Sequence, residues 1–537
     1  MTMSPDDLVL ALQRGLDRLI RRLQGGTTRA PTRPRLLVVQ IDGLSRAVLE
    51  AALASGHMPF LRRLLNRHGY RLEPMAVGLP TSTPAFQMAA MYGVRPDIPG
   101  FHYYDRERQA DIHFPRPGHA AQVEAAQATG RHGILRGGST YGCVFTGGAD
   151  NNLFSFARLT RPTGRGLICT LSGVLVVGWV LVKNTASTVV ELTRAGLRFV
   201  ADPVGAARGW YWLTIQLGIS VWIRGFFTLG ASRDLYAGAP AVYVNYLDYD
   251  VAAHAFGPRS RRALLSLRRV DRAIHQLWRV LRRVPEHRYD LYILSDHGQA
   301  LCTPYRDLTG GQRLERWIFD ELIEPAGSGT GETGPRAGLA RGIRARRRGV
   351  GGLFQRFLNY LDEDFLRRGE SEAHQAAGVR VIAAGPNAFL YVLGVAAPLD
   401  AAALEQRFPG LAEELSRSRG VGFVLARSDR GPLCFWRGKR YQLSDTEPGP
   451  FAGRADVALV VQGTRDLMAM PSAGDLVIYG IDAPGGHVSY IPEVGAHAGP
   501  SPDELHTFIV HPASVKVPAP LTHPIQLYAH FMRYQAP

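Results

Sequence analysis

Lysine is nearly missing from this chain. Lys183, Lys439 and Lys516 are the only three, so arginines make up almost all of the 62 basic side chains. Against 46 acidic residues they leave a formal net charge of +16. A surplus of that size suits an anionic partner, nucleic acid or a membrane surface. Arginine bias also follows from GC-rich coding, so the charge alone does not define the partner. Cysteine is scarce too. Cys143, Cys169, Cys302 and Cys434 stand far apart, with no CxxC or Cys/His spacing. That argues against a thiolate metal site or a disulfide scaffold, and a reducing compartment is the expectation. No apolar leader core opens the chain, since Asp6 and Asp7 precede a mixed stretch. A cytoplasmic location follows as the expectation, either free or at the cytoplasmic face of a membrane.

Long apolar runs are also lacking. Two uncharged stretches, Gly166–Val182 and Gly209–Ile223, fall short of the roughly 20 residues a spanning helix prefers. The loop between them carries Lys183, Arg194, Arg198 and Arg208, which disfavours its translocation. Interfacial helices, a helical subdomain and a membrane hairpin all remain open readings. What the chain does have is 46% apolar and 20% charged side chains over 537 residues, the composition of a folding protein.

Three apolar runs end in acids. Leu36–Ile41 leads into Asp42-Gly43, Ala241–Leu247 into Asp248 and Asp250, and Tyr289–Leu294 into Ser295-Asp296-His297-Gly298. Each reads as a buried parallel strand with ligand-type residues at its carboxyl end. Leu264, Leu267, Val270, Ile274, Leu277 and Leu281 recur at helical spacing between the last two. The pattern predicts an α/β sheet whose site lies along the strands' carboxyl edge. The organisation expected is a basic amphipathic helix and linker over 1–34, and a catalytic α/β domain over 35–160 and 236–537. An apolar helical insertion, membrane-associated or not, is expected over 161–235, and a small Gly/Arg-rich insertion over 327–361. The glycine-rich stretch Arg136–Gly142 reads as a plain turn, with a site-lining segment as the alternative.

Asp42, Asp250, His254, Asp296, His297 and His497 are the ligand-type residues at or near these ends. Asp and His suit borderline divalent metals such as Zn²⁺, with Mn²⁺ or another ion as alternatives. Six of them fit two sites of three, and a metal pair about 4 Å apart suits in-line phosphoryl displacement. In Leu79–Ala90, Pro84 reads as the first residue of a helix with Thr83 as its N-cap. A threonine there caps the helix. It also sits where an anion binds, and beside a cation its hydroxyl becomes a competent nucleophile.

QIDG, LPTSTPAF, YDVAAHAFGP, SDHGQ and GAHAG occur here in an order that resembles the alkaline phosphatase superfamily, and more closely its type I phosphodiesterase and nucleotide pyrophosphatase branch. The likeness covers about 35–150, 240–300 and 450–515. It implies a doubly wound, mixed but mainly parallel sheet with helices on both faces. It also implies one metal on Asp250, His254 and His497, and another on Asp42, Asp296 and His297, with Thr83 as nucleophile and further ligand. In such enzymes the threonine attacks phosphorus, the alcohol departs, and water hydrolyses the phospho-threonine.

Rivals exist at three positions. Thr81 and Ser82 compete with Thr83, Asp248 with Asp250, and His487 with His497; position before the helix, the D-x3-H spacing and the G-x-H context favour the latter set. The family's phosphate-contacting asparagine after the nucleophile helix is absent from Pro99–Asp105, where His102 is a candidate substitute. The function expected is a metal-dependent phosphodiesterase acting on a lipid-linked or nucleotide phosphodiester, with an anionic membrane surface as partner and no specific nucleic-acid binding. A phosphoethanolamine-transferase-like enzyme is the alternative, and a membrane- or nucleic-acid-binding protein with a vestigial site is the second. The sulfatase pattern C/S-x-P-x-R is missing around Thr83.

Positive charge is concentrated. The stretches 5–35, 155–235, 259–288 and 336–358 together carry +25, leaving the remainder at −9. The strand ends with ligand-type residues fall largely in that acidic remainder.

Overall fold

The computed structural model describes residues 5–23, 33–114, 116–158, 171–201, 216–323, 373–376 and 378–535. The three acid-tipped runs become neighbouring parallel strands. Arg35–Ile41 lies between Ala241–Tyr246 and Tyr289–Leu294, with Leu36 opposite Ala241 and Arg35 opposite Tyr289. An interior parallel strand is covered on both faces, which is why these runs are almost continuously apolar. Alternation along the strand divides it between two cores. Leu37, Val39 and Ile41 join a buried cluster with Val48, Leu61 and Leu267 from helices on one face. Leu36 and Val38 join the opposite cluster with Phe86, Met88 and Leu527.

The full sheet runs in the order Tyr70–Ala76, His506–Pro512, Tyr289–Leu294, Arg35–Ile41, Ala241–Tyr246, Ser139–Tyr141, Asn151–Phe154. His506–Pro512 is antiparallel to both its neighbours, while the other pairings in the sheet are parallel. The fold is therefore the mixed, mainly parallel α/β architecture expected, with its acid-bearing strand ends side by side.

The glycine-rich stretch before Cys143 turns at Gly137 and Gly138 and then becomes a strand. Ser139–Tyr141 is a strand paired with Val242–Val244. A Cβ on Gly138 would lie 2.0 Å from the Ala241 carbonyl oxygen, so glycine here permits the two backbones to approach.

Residues between Tyr289–Leu294 and His506–Pro512 contribute a second sheet that the sequence reading did not set apart. It is antiparallel throughout and runs Ala373–Ala376, Val379–Ala383, Asn387–Val392, Leu476–Tyr479, Phe423–Ala426, Leu433–Trp436, Lys439–Gln442. All six residues of Asn387–Val392 are buried, so the strand shows no polar–apolar alternation by which to recognise it.

The amphipathic helix forms over Pro5–Leu23, and Leu171–Ala201 is a long helix beside it. Their junction is polar, with Asp6 accepting from Trp179 Nε1 at 2.6 Å and from Lys183 Nζ at 2.5 Å. A π-helical segment, Gln216–Ile223, continues into the helix Arg224–Ala237. Leu10, Val180, Ile219, Ile223 and Phe227 enter the same core as the central strand, so these helices are docked on the sheet. Among the described residues no helix is long and apolar enough to cross a membrane. Parts of both uncharged stretches, 166–170 and 209–215, and the whole Gly/Arg-rich segment 327–361 lie outside the described residues.

Gly138→Ala is expected to destabilise the protein by about 1–3 kcal/mol through this backbone clash, read as a lower denaturation midpoint.

Candidate active site

The site grows from the carboxyl edge of the three central strands. Asp42 follows Ile41, and Gly43 turns the chain at φ +74°. A side chain on Gly43 would meet Asp250 Oδ1 at 2.5 Å. Glycine in QIDG thus serves both the left-handed turn and the approach of a second carboxylate. Asp250 and His254 lie four residues apart on the helix Asp248–Phe256, which puts them on one face, with His254 Nε2 3.4 Å from Asp250 Oδ2. Asp296 and His297 follow Leu294. Ser295 fastens their loop to the first one, its hydroxyl accepting from Leu44 N at 2.9 Å and donating to His297 O at 2.8 Å.

Two groups of donor atoms converge within 4.8 Å of one another: Asp42, Asp296 and His297, and Asp250, His297 and His497. His297 belongs to both. Its ring stacks on His497 at 3.8 Å between centroids, and His497 lies 5.0 Å from the His254 ring. His254 is therefore adjacent to the second group through Asp250. All six ligand-type residues named from sequence come together here.

Thr83 joins them. Its Oγ1 is 3.3 Å from Asp42 Oδ1 and 3.1 Å from His297 Nε2. The helix runs Thr83–Tyr92 with Ser82, not Thr83, as the N-cap, one residue earlier than the proline suggested. Thr83 Oγ1 faces the carboxylates instead of capping. Thr81 is occupied elsewhere, donating to Gly499 O at 2.9 Å and accepting from Ala498 N at 2.9 Å. The other rivals lie in separate contacts. Asp248 accepts from Arg224 Nε at 3.1 Å, and His487 Nδ1 accepts from Asp482 N at 3.0 Å. His102 falls outside both donor groups, on the hairpin His102–Asp105/Ala110–His113, with Nε2 3.3 Å from Asp111 Oδ2.

The charges are frustrated as they stand. Burial, reinforced by Asp296 and Asp250, pushes the Asp42 carboxyl well above its usual range. Burial and the charge of Asp250 push Asp296 up to about 7, against the Thr83 hydroxyl, which favours the ionised form. Burial would raise Asp250 as well, but His254, His497 and His297 hold it below the usual range. Burial alone would lower His254, yet Asp250 and Glu493 carry it well above its ordinary value. Burial takes His297 down to about 4, and burial with the neighbouring His297 and His254 rings takes His497 down to about 3. Three crowded carboxylates beside His297 and His497, which favour the neutral form, are a candidate donor set for a divalent cation. Asp296 Oδ2 fits that reading, being buried with no hydrogen-bond partner among the described residues.

Several supporting residues escaped the sequence reading. Glu493 Oε2 is 2.8 Å from His254 Nδ1 and so aims Nε2 at Asp250. Asn245 Nδ2 donates to Asp42 Oδ2 at 2.6 Å. Its signal was a polar residue inside an apolar strand. Gln299 Nε2 donates to Asp250 Oδ1 at 2.5 Å, from the position after DHG. Glu493 carries no local signal, because its partner lies 239 positions away.

Fold and site together place a cluster of carboxylates, imidazoles and one threonine hydroxyl at the carboxyl edge of a mixed, mainly parallel α/β sheet. A family model described as type I phosphodiesterase / nucleotide pyrophosphatase matches residues 220–341, the segment that holds Asp250, His254, Asp296 and His297. The chain thus resembles that branch of the alkaline phosphatase superfamily. No curated protein sequence matches it. Among solved structures, phosphonoacetate hydrolase from Sinorhizobium meliloti 1021 in complex with phosphonoformate is 14% identical, with a TM-score of 0.47 over 95% of this chain and 97% of that one. The same enzyme in complex with phosphonoacetate is 13% identical, with a TM-score of 0.43 over the same shares.

If the site takes a divalent cation, Glu493→Gln is expected to weaken its binding about 10–100-fold by leaving His254 Nδ1 to the Gly495 carbonyl alone, measured with Zn²⁺ as the probe by competition with a chromogenic chelator.

Proposed function

We propose that this protein is a metal-dependent phosphodiesterase with Thr83 as its nucleophile and two divalent cations, Zn²⁺ being the best match to the donor set. The observation that carries the reading is the place of Thr83 Oγ1, at the first turn of a buried helix and within 3.3 Å of Asp42 and 3.1 Å of His297. Asp42, Asp296, His297 and Thr83 would hold one cation, and Asp250, His254 and His497 the other. When bound, such cations neutralise charge developing on phosphoryl oxygens and favour the ionised hydroxyl.

The chain's own residues account for the remaining steps. The helix N-terminus at Thr83 favours the anionic phosphodiester. Thr83 Oγ1 forms a bond to phosphorus as the bond to the departing alcohol breaks. The Thr83 proton passes to solvent as the hydroxyl ionises, and the departing alcohol takes a proton from solvent. Water then splits the Thr83–phosphorus ester, which restores the hydroxyl and releases a phosphomonoester. Asn245 and Glu493 keep Asp42 and His254 oriented through both halves. Nucleotide and lipid-linked phosphodiesters both fit this chemistry.

With Zn²⁺ present, the purified chain should hydrolyse bis-p-nitrophenyl phosphate, and Thr83→Ala should lower kcat about a thousandfold or more. Wild-type turnover in that variant would sink the nucleophile assignment. Metal analysis of the purified chain should find about two ions per chain, lost together with activity on chelation. A chain that carries no metal and hydrolyses the ester regardless would refute the cation sites.

A further inference from the structure

Ten of the twelve large apolar side chains exposed among the described residues stand on just two helices, Pro5–Leu23 and Leu171–Ala201. They form faces and are not scattered. Leu8, Leu12 and Leu19 recur at four and seven residues along the first helix. Leu175, Val182 and Val189 recur every seven along the second. Val182 is 61% exposed and Val189 57%. The two helices pack side by side, joined by the Asp6 bonds to Trp179 and Lys183. Exposed apolar faces of this kind on two neighbouring helices mark an interaction site.

The flank decides the partner. Arg269, on the helix Arg261–Leu281, pairs with Glu191 of the long helix at 3.6 Å. That arginine-bearing helix holds six arginines against one acid, Asp271, and presents exposed Leu265 beside exposed Arg268. A second copy of the chain on this surface would bring two such basic helices together. An anionic bilayer complements them. The long helix also places its second half beside the site's strand ends. Trp222 Nε1 donates to Thr188 at 3.1 Å, and Arg224, two residues on, bonds Asp248 at the end of the strand Ala241–Tyr246.

We propose that the surface formed by the helices Pro5–Leu23 and Leu171–Ala201 docks on an anionic lipid bilayer, lying in its interface without crossing it. Leucines and valines enter the acyl boundary while arginines of the neighbouring helix meet headgroup phosphates. The docking stands whether or not the site hydrolyses phosphodiesters.

The test is flotation of the full chain with vesicles of phosphatidylglycerol and phosphatidylcholine, set against vesicles of phosphatidylcholine alone. Binding is expected to the anionic vesicles and to weaken with salt. The double substitution Val182→Asp, Val189→Asp should lower vesicle affinity about tenfold or more, with the melting temperature unchanged. Failure of the wild type to float with anionic vesicles overturns the proposal, as does unchanged binding of the variant. So does a wild-type dimer in solution that the double substitution dissociates, because a second copy would then be the occupant.

Discussion

Three carboxylates share one buried corner of this molecule, and much of the surrounding structure answers to that fact. Asp42, Asp250 and Asp296 come from three adjacent strand ends, where low dielectric magnifies their repulsion. The chain compensates with neutral donors, Asn245 on Asp42 and Gln299 on Asp250, and with three histidines. It stops short of full compensation, leaving Asp296 Oδ2 without a hydrogen bond among the described residues, with His297 Nε2 3.4 Å away. A corner built in this way is stable only in a fold that fixes its strands firmly, and two apolar cores supply that by burying both faces of Arg35–Ile41.

The same corner couples distant parts of the chain. His497 Nδ1 lies 2.9 Å from the Thr81 carbonyl oxygen, and Ala498 N donates to the Thr81 hydroxyl. The loop bearing Thr83 is thereby tied to the loop bearing His497. Glu504 stiffens the second loop, accepting from Gly499 N at 2.7 Å. The antiparallel sheet also reaches this rim, since a Cβ on Gly385 would sit 3.3 Å from His497 O. Next to it Asn387 is fully buried with neither amide atom partnered among the described residues. An asparagine therefore does stand near the site, from a segment far from the one in which sequence reasoning sought it.

Charge and apolar exposure are arranged separately from the chemistry. The acids gather at the strand ends, whereas arginines crowd the helix Arg261–Leu281 and exposed leucines and valines crowd the two helices beside it. Docking of Ile219, Ile223 and Phe227 into the main core gives the uncharged region a role that hydropathy alone left open. Its inner residues complete the enzyme's core, and its outer face remains available to a partner.

Local pattern was enough to read the three acid-tipped strands, the helices between them and the six ligand-type residues. Runs of buried apolar residues ending in Asp-Gly or Asp-His-Gly are short-range signals of backbone and burial, and they survive without knowledge of neighbours. Thr83 was legible because proline marks a helix start, though the cap itself fell one residue earlier. The second sheet was not legible, because strands buried on both faces look like any apolar run. Glu493 was not legible either, because its carboxylate takes its role from a partner 239 residues away. Sequence by itself determined which side chains are candidates for the chemistry, through the residue types that chemistry requires. Only the tertiary structure decided how they are grouped, since the spatial order of the strands, and no spacing along the chain, sets Asp42 between Asp250 and Asp296 and places His297 in reach of both donor groups.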